Sequence, residues 1–207
     1  MRVKTKNSRV VRDLIRIGVF TALMLAVSCL LAFTIGFFPV LMLTLMPCIM
    51  SIASAIIFMV MVSKLTIGGG FFITSTVMGL CMITMAPYGF MFFACVITGI
   101  LAESAYKILV RGTFRAKLVA ICIYSLGGSI GEYGPFVWMR DAYLNLYANN
   151  PSGTMYVVEF GVAHITVLAM IILSVCNMGF AVLGCFWGNK IVEKNFKKAT
   201  AKNVQTK

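Results

Sequence analysis

FFITSTVMGLCMITMAPYGFMFFACVITGILAESAYKIL, residues 71–109, is the stretch on which the reading of this chain turns. Its only charges, Glu103 and Lys107, lie near the C-terminal end. As a single helix it would be about 58 Å long, roughly twice the hydrocarbon thickness of a bilayer. Pro87-Tyr88-Gly89 therefore reads as a tight, uncharged turn between two spans, 71–87 and 88–109. Further apolar runs at 14–36, 40–63, 118–138 and 160–189 bring the count to six. The expected fold is an all-α integral membrane bundle of six transmembrane helices. It forms one domain over residues 1–207, with a polar tail at 190–207 that frays from about Asn195.

Composition agrees. Sixty per cent of the residues are hydrophobic and 12% are charged. A soluble domain keeps roughly a quarter of its residues charged, so much of this surface must face lipid. The net charge of +12 does not make a nucleic-acid face, because Lys and Arg sit in short clusters between the apolar runs. Of the eighteen basic residues, all but Arg140 fall before span one, after spans two, four and six, or at the start of span five. That bias places both termini in the cytoplasm and 139–159 outside, in a multi-pass protein of the cell membrane. Phe37, Phe38, Tyr88, Trp138, Tyr143, Tyr147 and Tyr156 then form an outer aromatic belt.

Seven cysteines, at 29, 48, 81, 95, 122, 176 and 185, fall singly within apolar segments and read as small packing residues. The first apolar run is too long for the core of a cleavable signal peptide and leads into further spans. No phosphate-binding loop or HExxH motif is present, and the chain holds one His and six acids. We expect no enzyme, no cofactor and no metal site.

One constellation has the look of catalysis: Gly127-Gly128-Ser129 in span five with His164 in span six. It resembles the Ser–His dyad of rhomboid proteases, but Ile130 breaks the GxSG pattern. The competing reading has the glycines packing closely, Ser129 bonding a backbone carbonyl and His164 lining a polar cavity. More telling are the polar groups of the external half: Glu132 in span five, Arg140 and Asp141 after it, and Glu159 and His164 at the opening of span six. Four glycines and Pro135 within 127–135 are expected to unwind that helix early. An outward-facing polar pocket between spans five and six, roofed by 139–159, would result. The alternative is a structural Glu132–Arg140 pair. Glu103 reads as an i,i+4 partner of Lys107 without a functional role. In span one, Gly18, Ala22 and Ala26 form a stripe of small residues suited to close helix approach, either within this bundle or with another protein.

Arg12-Asp13-Leu14-Ile15-x-x-Gly18-x-Phe20-Thr21-Ala22, Lys64 with its glycine turn and Met78-Gly79-Leu80, Pro135-x-x-x-x-Arg140-Asp141-x-Tyr143, and Lys194-Asn195-Phe196-Lys197-Lys198-Ala199 resemble the Trep_Strep family, grouped with the MptpS-type S components of energy-coupling factor (ECF) transporters. Asn195 and Thr200 stand where that closing motif has His and Gly. The resemblance implies a six-helix subunit that binds a small, vitamin-like solute from outside. Such a subunit docks on a transmembrane coupling protein driven by two separate ATPase subunits. Ala22 and Ala26 match an AxxxA docking motif, which favours the partner reading of the stripe, with Gly18 beside them. Glu132, Arg140, Asp141 and His164 would hold the solute's polar groups, Arg140 as a bidentate anchor for an anion, with Trp138 and Tyr143 as walls. The alternatives are a stand-alone secondary carrier and an intramembrane Ser–His protease.

Overall fold

The computed structural model describes the backbone of residues 2–148 and 155–205, and side chains within 8–148 and 155–194. Every regular element among the described residues is helical: α1 (Arg2–Ile35), α2 (Pro39–Lys64), α3 (Gly70–Cys81), a 3-10 turn (Pro87–Gly89), α4 (Phe90–Ile108), α5 (Phe114–Trp138), α6 (Arg140–Ala148), α7 (Met155–His164) and α8 (Val167–Gln205). Five of them, α1, α2, α4, α5 and α8, are long and apolar enough to cross a membrane. The sequence stretch 71–87 differs from expectation. Only its first part is helical, and twelve residues at 1.5 Å each rise about 18 Å. After Cys81 the chain turns through 82–86. Tyr88 and Gly89, at φ 54° and 67°, then reverse it into α4, a backbone shape that glycine adopts freely.

Other boundaries also move. α1 begins well before residue 14. The run 160–189 is two helices: α7 ends at His164 and α8 starts at Val167, where the Thr166 hydroxyl accepts from the Ala169 N–H. The backbone stays helical through Gln205 where fraying was expected. The side chains of Arg2, Lys4 and Lys6, and those of the closing motif beyond Lys194, lie outside the described residues.

The helices close into a ring, each packed on two neighbours in the order α1, α2, α8, α5, α4, α3 and back to α1. Close seams hold it together. A Cβ at Gly131 or Gly134 of α5 would meet Met91 and Ala94, or Phe90, of α4. One at Gly184 or Gly188 of α8 would meet Ile52 and Ala55, or Met59, of α2. Glycine at such contacts lets backbones approach where no hydrophobic drive separates helix from lipid. This overturns the expected unwinding of 127–135. α5 is continuous: Gly127, Gly131 and Gly134 pack against α4, Gly128 faces the cavity, and Pro135 falls in the last turn.

Inside the ring, the half nearest Lys64 and Lys117 is filled by Phe58, Phe71, Tyr106 and Ile121, with Phe58 stacked on Phe71 at 4.8 Å. Toward the other end the centre opens. α6 and α7 lie across that opening, tied down where Tyr147 Oη donates to the Met85 carbonyl at 3.2 Å and Tyr156 Oη to the Gly36 carbonyl at 2.8 Å.

Pro47 sits inside α2 and, lacking an N–H, leaves the Leu43 carbonyl without its helical donor. Tyr133 of α5, fully buried, supplies the missing proton through its hydroxyl at 2.8 Å. Tyr133→Phe should leave that carbonyl unsatisfied and destabilise the bundle by about 1–3 kcal/mol. Thermal unfolding in detergent micelles checks this; an unchanged transition would remove Tyr133 from the account.

Candidate functional site

The opening in the ring is a cavity of about 280 Å³. One wall is thioether: Met42, Met46 and Met50 of α2, Met78 of α3, Met82 and Met85 of the following turn, and Met91 of α4. The α2 methionines recur every four residues and so share a face. The lining also carries a strip of small polar groups, held in a chain of hydrogen bonds. Asn177 of α8 donates to Ser129 Oγ at 3.0 Å, and Ser129 Oγ donates to the Ser125 carbonyl at 3.1 Å. The Ser125 and Ser51 hydroxyls meet at 3.2 Å, and the Cys48 thiol donates to the Asn177 amide oxygen at 3.2 Å. These bonds join α2, α5 and α8 within the apolar layer, where an unmet polar group is costly.

The roof is aromatic. Phe136 packs on Tyr143 at 4.8 Å between ring centres, and Tyr143 on Tyr147 at 5.5 Å. Val157 and Val158 of α7 complete it. Burial pushes both phenols up, so Tyr143 and Tyr147 are neutral donors at physiological pH.

Glu132 stands between the polar strip and the roof, half-buried, and lines the cavity. It takes part in no hydrogen bond and no ion pair among the described residues, so the expected structural pair with Arg140 does not form. Arg140 instead donates through Nε to the Phe136 carbonyl at 3.1 Å.

Of the six residues expected at the site, the structure brings Glu132 and Tyr143 to the cavity. Trp138, Arg140, Asp141 and His164 are exposed and do not line it. The cause is local. α5 ends at Trp138 and α6 starts at Arg140, so Arg140 and Asp141 occupy the first turn of a surface helix whose tyrosines face inward. Trp138 stays outside against Phe90, with ring centres 6.0 Å apart. His164, at the last turn of α7, stacks on Phe160 at 4.2 Å and bonds that residue's carbonyl at 2.9 Å. The polar chain and methionine wall went unread in the sequence. Asn177 inside an apolar run and the 42/46/50 spacing are the signals that would have found them.

The small residues of α1 face away from the bundle. Asp13, Ile17, Thr21, Met24 and Ser28 are buried, whereas Gly18, Ala22 and Ala26 are exposed. A packing role inside this chain is thereby overturned.

At the other end of the ring two carboxylates clamp the 65–69 loop. Asp13 Oδ2 of α1 accepts from the Thr66 N–H at 2.8 Å, the Thr66 hydroxyl at 2.5 Å and the Ile67 N–H at 3.1 Å. Glu103 of α4 accepts from the N–H groups of Gly69 at 2.7 Å and Phe71 at 3.3 Å, capping α3 from outside its own helix. Its ion pairs are longer, 3.6 Å to Arg111 and 3.8 Å to Lys107. The expected Lys107 pair is thus present but secondary. A second space of about 400 Å³, lined by Thr66, Gly68, Glu103, Arg111 and Lys117, adjoins this clamp. The buried Lys117 ammonium donates to Ser63 Oγ there at 2.9 Å.

Comparison with known proteins gives one match. A family model described as a hypothetical bacterial integral membrane protein (Trep_Strep) covers residues 11–198. No curated protein and no solved structure matches the chain.

Glu103→Ala should remove the cap on α3 and lower stability by about 3 kcal/mol, whereas Lys107→Ala, which loses only an exposed ion-pair arm, should cost under about 0.5 kcal/mol. Equal losses for the two variants, measured by thermal unfolding, would show that the ion pair and not the cap holds this end together.

Proposed function

Because the chain belongs to the Trep_Strep family of bacterial integral membrane proteins, we propose that it is the substrate-specific membrane subunit of an ECF-type ABC importer. It binds a small, vitamin-like solute from outside. The observation that carries this reading is the 280 Å³ cavity roofed by α6 and α7, in which Glu132 has no hydrogen-bond or ion-pair partner among the described residues. Ligand pockets are concave, mostly apolar and furnished with a few placed polar groups, and this space fits that description near the low end of their size range. An intramembrane acid with nothing to pair with points to a ligand rather than to structure.

Connectivity favours six passes with both termini in the cytoplasm. The chain leaves α2 at Lys64, beside the carboxylate-clamped loop at 65–69, and enters α4 beside the α6 roof, so α3 and 82–86 together return it across the bilayer. Placing the lysine- and arginine-rich end inside puts the aromatic roof and the cavity mouth outside.

The partner reading rests on α1. Its exposed small residues offer a second membrane protein a close approach, and the chain carries no phosphate loop of its own. A transmembrane coupling subunit seated on that face, powered by two separate ATPase subunits, meets both conditions. A stand-alone carrier is less favoured, since such carriers place paired half-helices and ionisable groups about the midplane and here, among the described residues, one acid faces the cavity. The protease reading is also weaker. The hydroxyl of Ser129 is engaged by Ser125 and Asn177, and His164 lies outside the cavity that Ser129 lines. No catalytic step is assigned.

Replacing Gly18, Ala22 and Ala26 together by Leu should abolish co-purification of a coupling subunit and its ATPases from the native membrane while solute binding persists. The fold should tolerate the change, because these positions face outward and a Cβ at Gly18 meets nothing within 4 Å. A triple variant that still brings down the complete assembly would overturn the assignment of α1.

A further inference from the structure

We infer that the cavity selects a small organic cation, with Glu132 as its counterion and Phe136, Tyr143 and Tyr147 as the aromatic surface around the positive charge. The inference deepens the importer reading and rests on it. Three observations meet at one place. First, the charge inventory of the lining is one-sided: Glu132 is present, and among the described lining residues there is no Lys, Arg or His. An anionic solute would enter against a carboxylate with no base to receive it. The anion-binding role expected of Arg140 is closed off, since that side chain lies outside and bonds the Phe136 carbonyl.

Second, the carboxylate takes part in no hydrogen bond or ion pair among the described residues, although it sits in the apolar layer, where bare charge is expensive. The polar strip is already committed: Asn177 to Ser129 and Cys48, and Ser125 to Ser51. The protein could have bonded Glu132 internally with this strip and does not. The capacity to accept is left for what enters.

Third, Phe136 lies one helical turn beyond Glu132 on α5, and its ring begins the run of contacts through Tyr143 to Tyr147. Aromatic faces carry negative potential and attract ammonium and related cations, above all where water is excluded. A carboxylate beside such a cluster favours a delocalised or alkylated cation over a bare metal ion. No group of three or more His, Cys, Asp or Glu side chains suited to a metal ion occurs among the described residues. The methionine wall then takes the uncharged body of the solute, since thioethers are polarisable and adjust to irregular shapes.

The test uses the full-length protein in detergent micelles with a matched set of probes: benzyltrimethylammonium, its neutral carbon isostere neopentylbenzene, and benzoate. Thermal unfolding with increasing probe reads binding, and mass spectrometry of an organic extract of the purified protein identifies any retained solute. Benzyltrimethylammonium should bind at least about tenfold more tightly than neopentylbenzene, and benzoate should not stabilise the protein. Glu132→Gln should abolish the preference for the cation while binding neopentylbenzene as before, and its unfolding without probe reports that the bundle is intact. Tyr143→Leu should weaken the cation more than the neutral probe. A retained cation would support the inference. Equal binding of cation and isostere, preferential binding of benzoate, a retained anion, or an unaltered preference in Glu132→Gln would each overturn it. Those outcomes leave the importer reading standing, because a solute still occupies the cavity. If no probe binds and no solute is retained, while no coupling subunit co-purifies, both fall together.

Discussion

Every backbone N–H and C=O that enters the bilayer must find its partner inside the protein, and the organisation of this bundle follows from that demand. Helices meet it along their length, so the informative places are those where a helix fails to do so. Pro47 breaks the ladder of α2, and a buried tyrosine from across the ring repairs it. The start of α3 leaves amide protons exposed, and Glu103 reaches from α4 to receive them. The 65–67 turn would be equally deficient without Asp13. Each repair comes from a different element, so each also fixes the position of one helix relative to another.

Against this background, Glu132 stands out. Asp13 and Glu103 are buried acids with several donors apiece, and their role is architectural. Glu132 is also an acid within a helix of the ring, yet among the described residues it has no hydrogen bond or ion pair and lines the cavity with aromatic rings and a strip of hydroxyls bonded to one another. The same chemical group thus sits in two settings in one molecule, and what distinguishes them is whether the protein answers the charge itself. The polar chain from Cys48 to Ser51 contributes by fixing α2, α5 and α8, so that the empty centre keeps its shape.

Much of the fold was legible in the residues. Run length and the distribution of Lys and Arg were enough to identify a multi-pass helical protein and its principal helices. What escaped depended on contacts between distant segments. The glycines of 127–135 looked like helix breakers because a sequence does not display α4, whose approach Gly127, Gly131 and Gly134 permit. The run 160–189 concealed a break at Ile165 and Thr166, since both residues are compatible with an apolar helix. Glu132 and Tyr143, which line the cavity, drew notice because an acid and an aromatic near a helix end are conspicuous. Arg140, Asp141 and His164 were equally conspicuous and lie outside: for Arg140 and Asp141, a single residue separates α5 from α6 and sets which side of the new helix faces inward, while His164 ends α7 stacked on Phe160. Methionine carries no such flag; its role at the wall becomes visible only when three helices place it together.

Under the proposed importer reading, the methionine wall bears on how solutes are told apart. A surface made of unbranched, rotatable side chains can reshape itself around different contours at little expense, so it imposes few steric vetoes. Selectivity must then arise mainly from the carboxylate and the rings beside it. Across a congeneric series, affinity should be tolerant of bulk and branching but respond sharply to polarity.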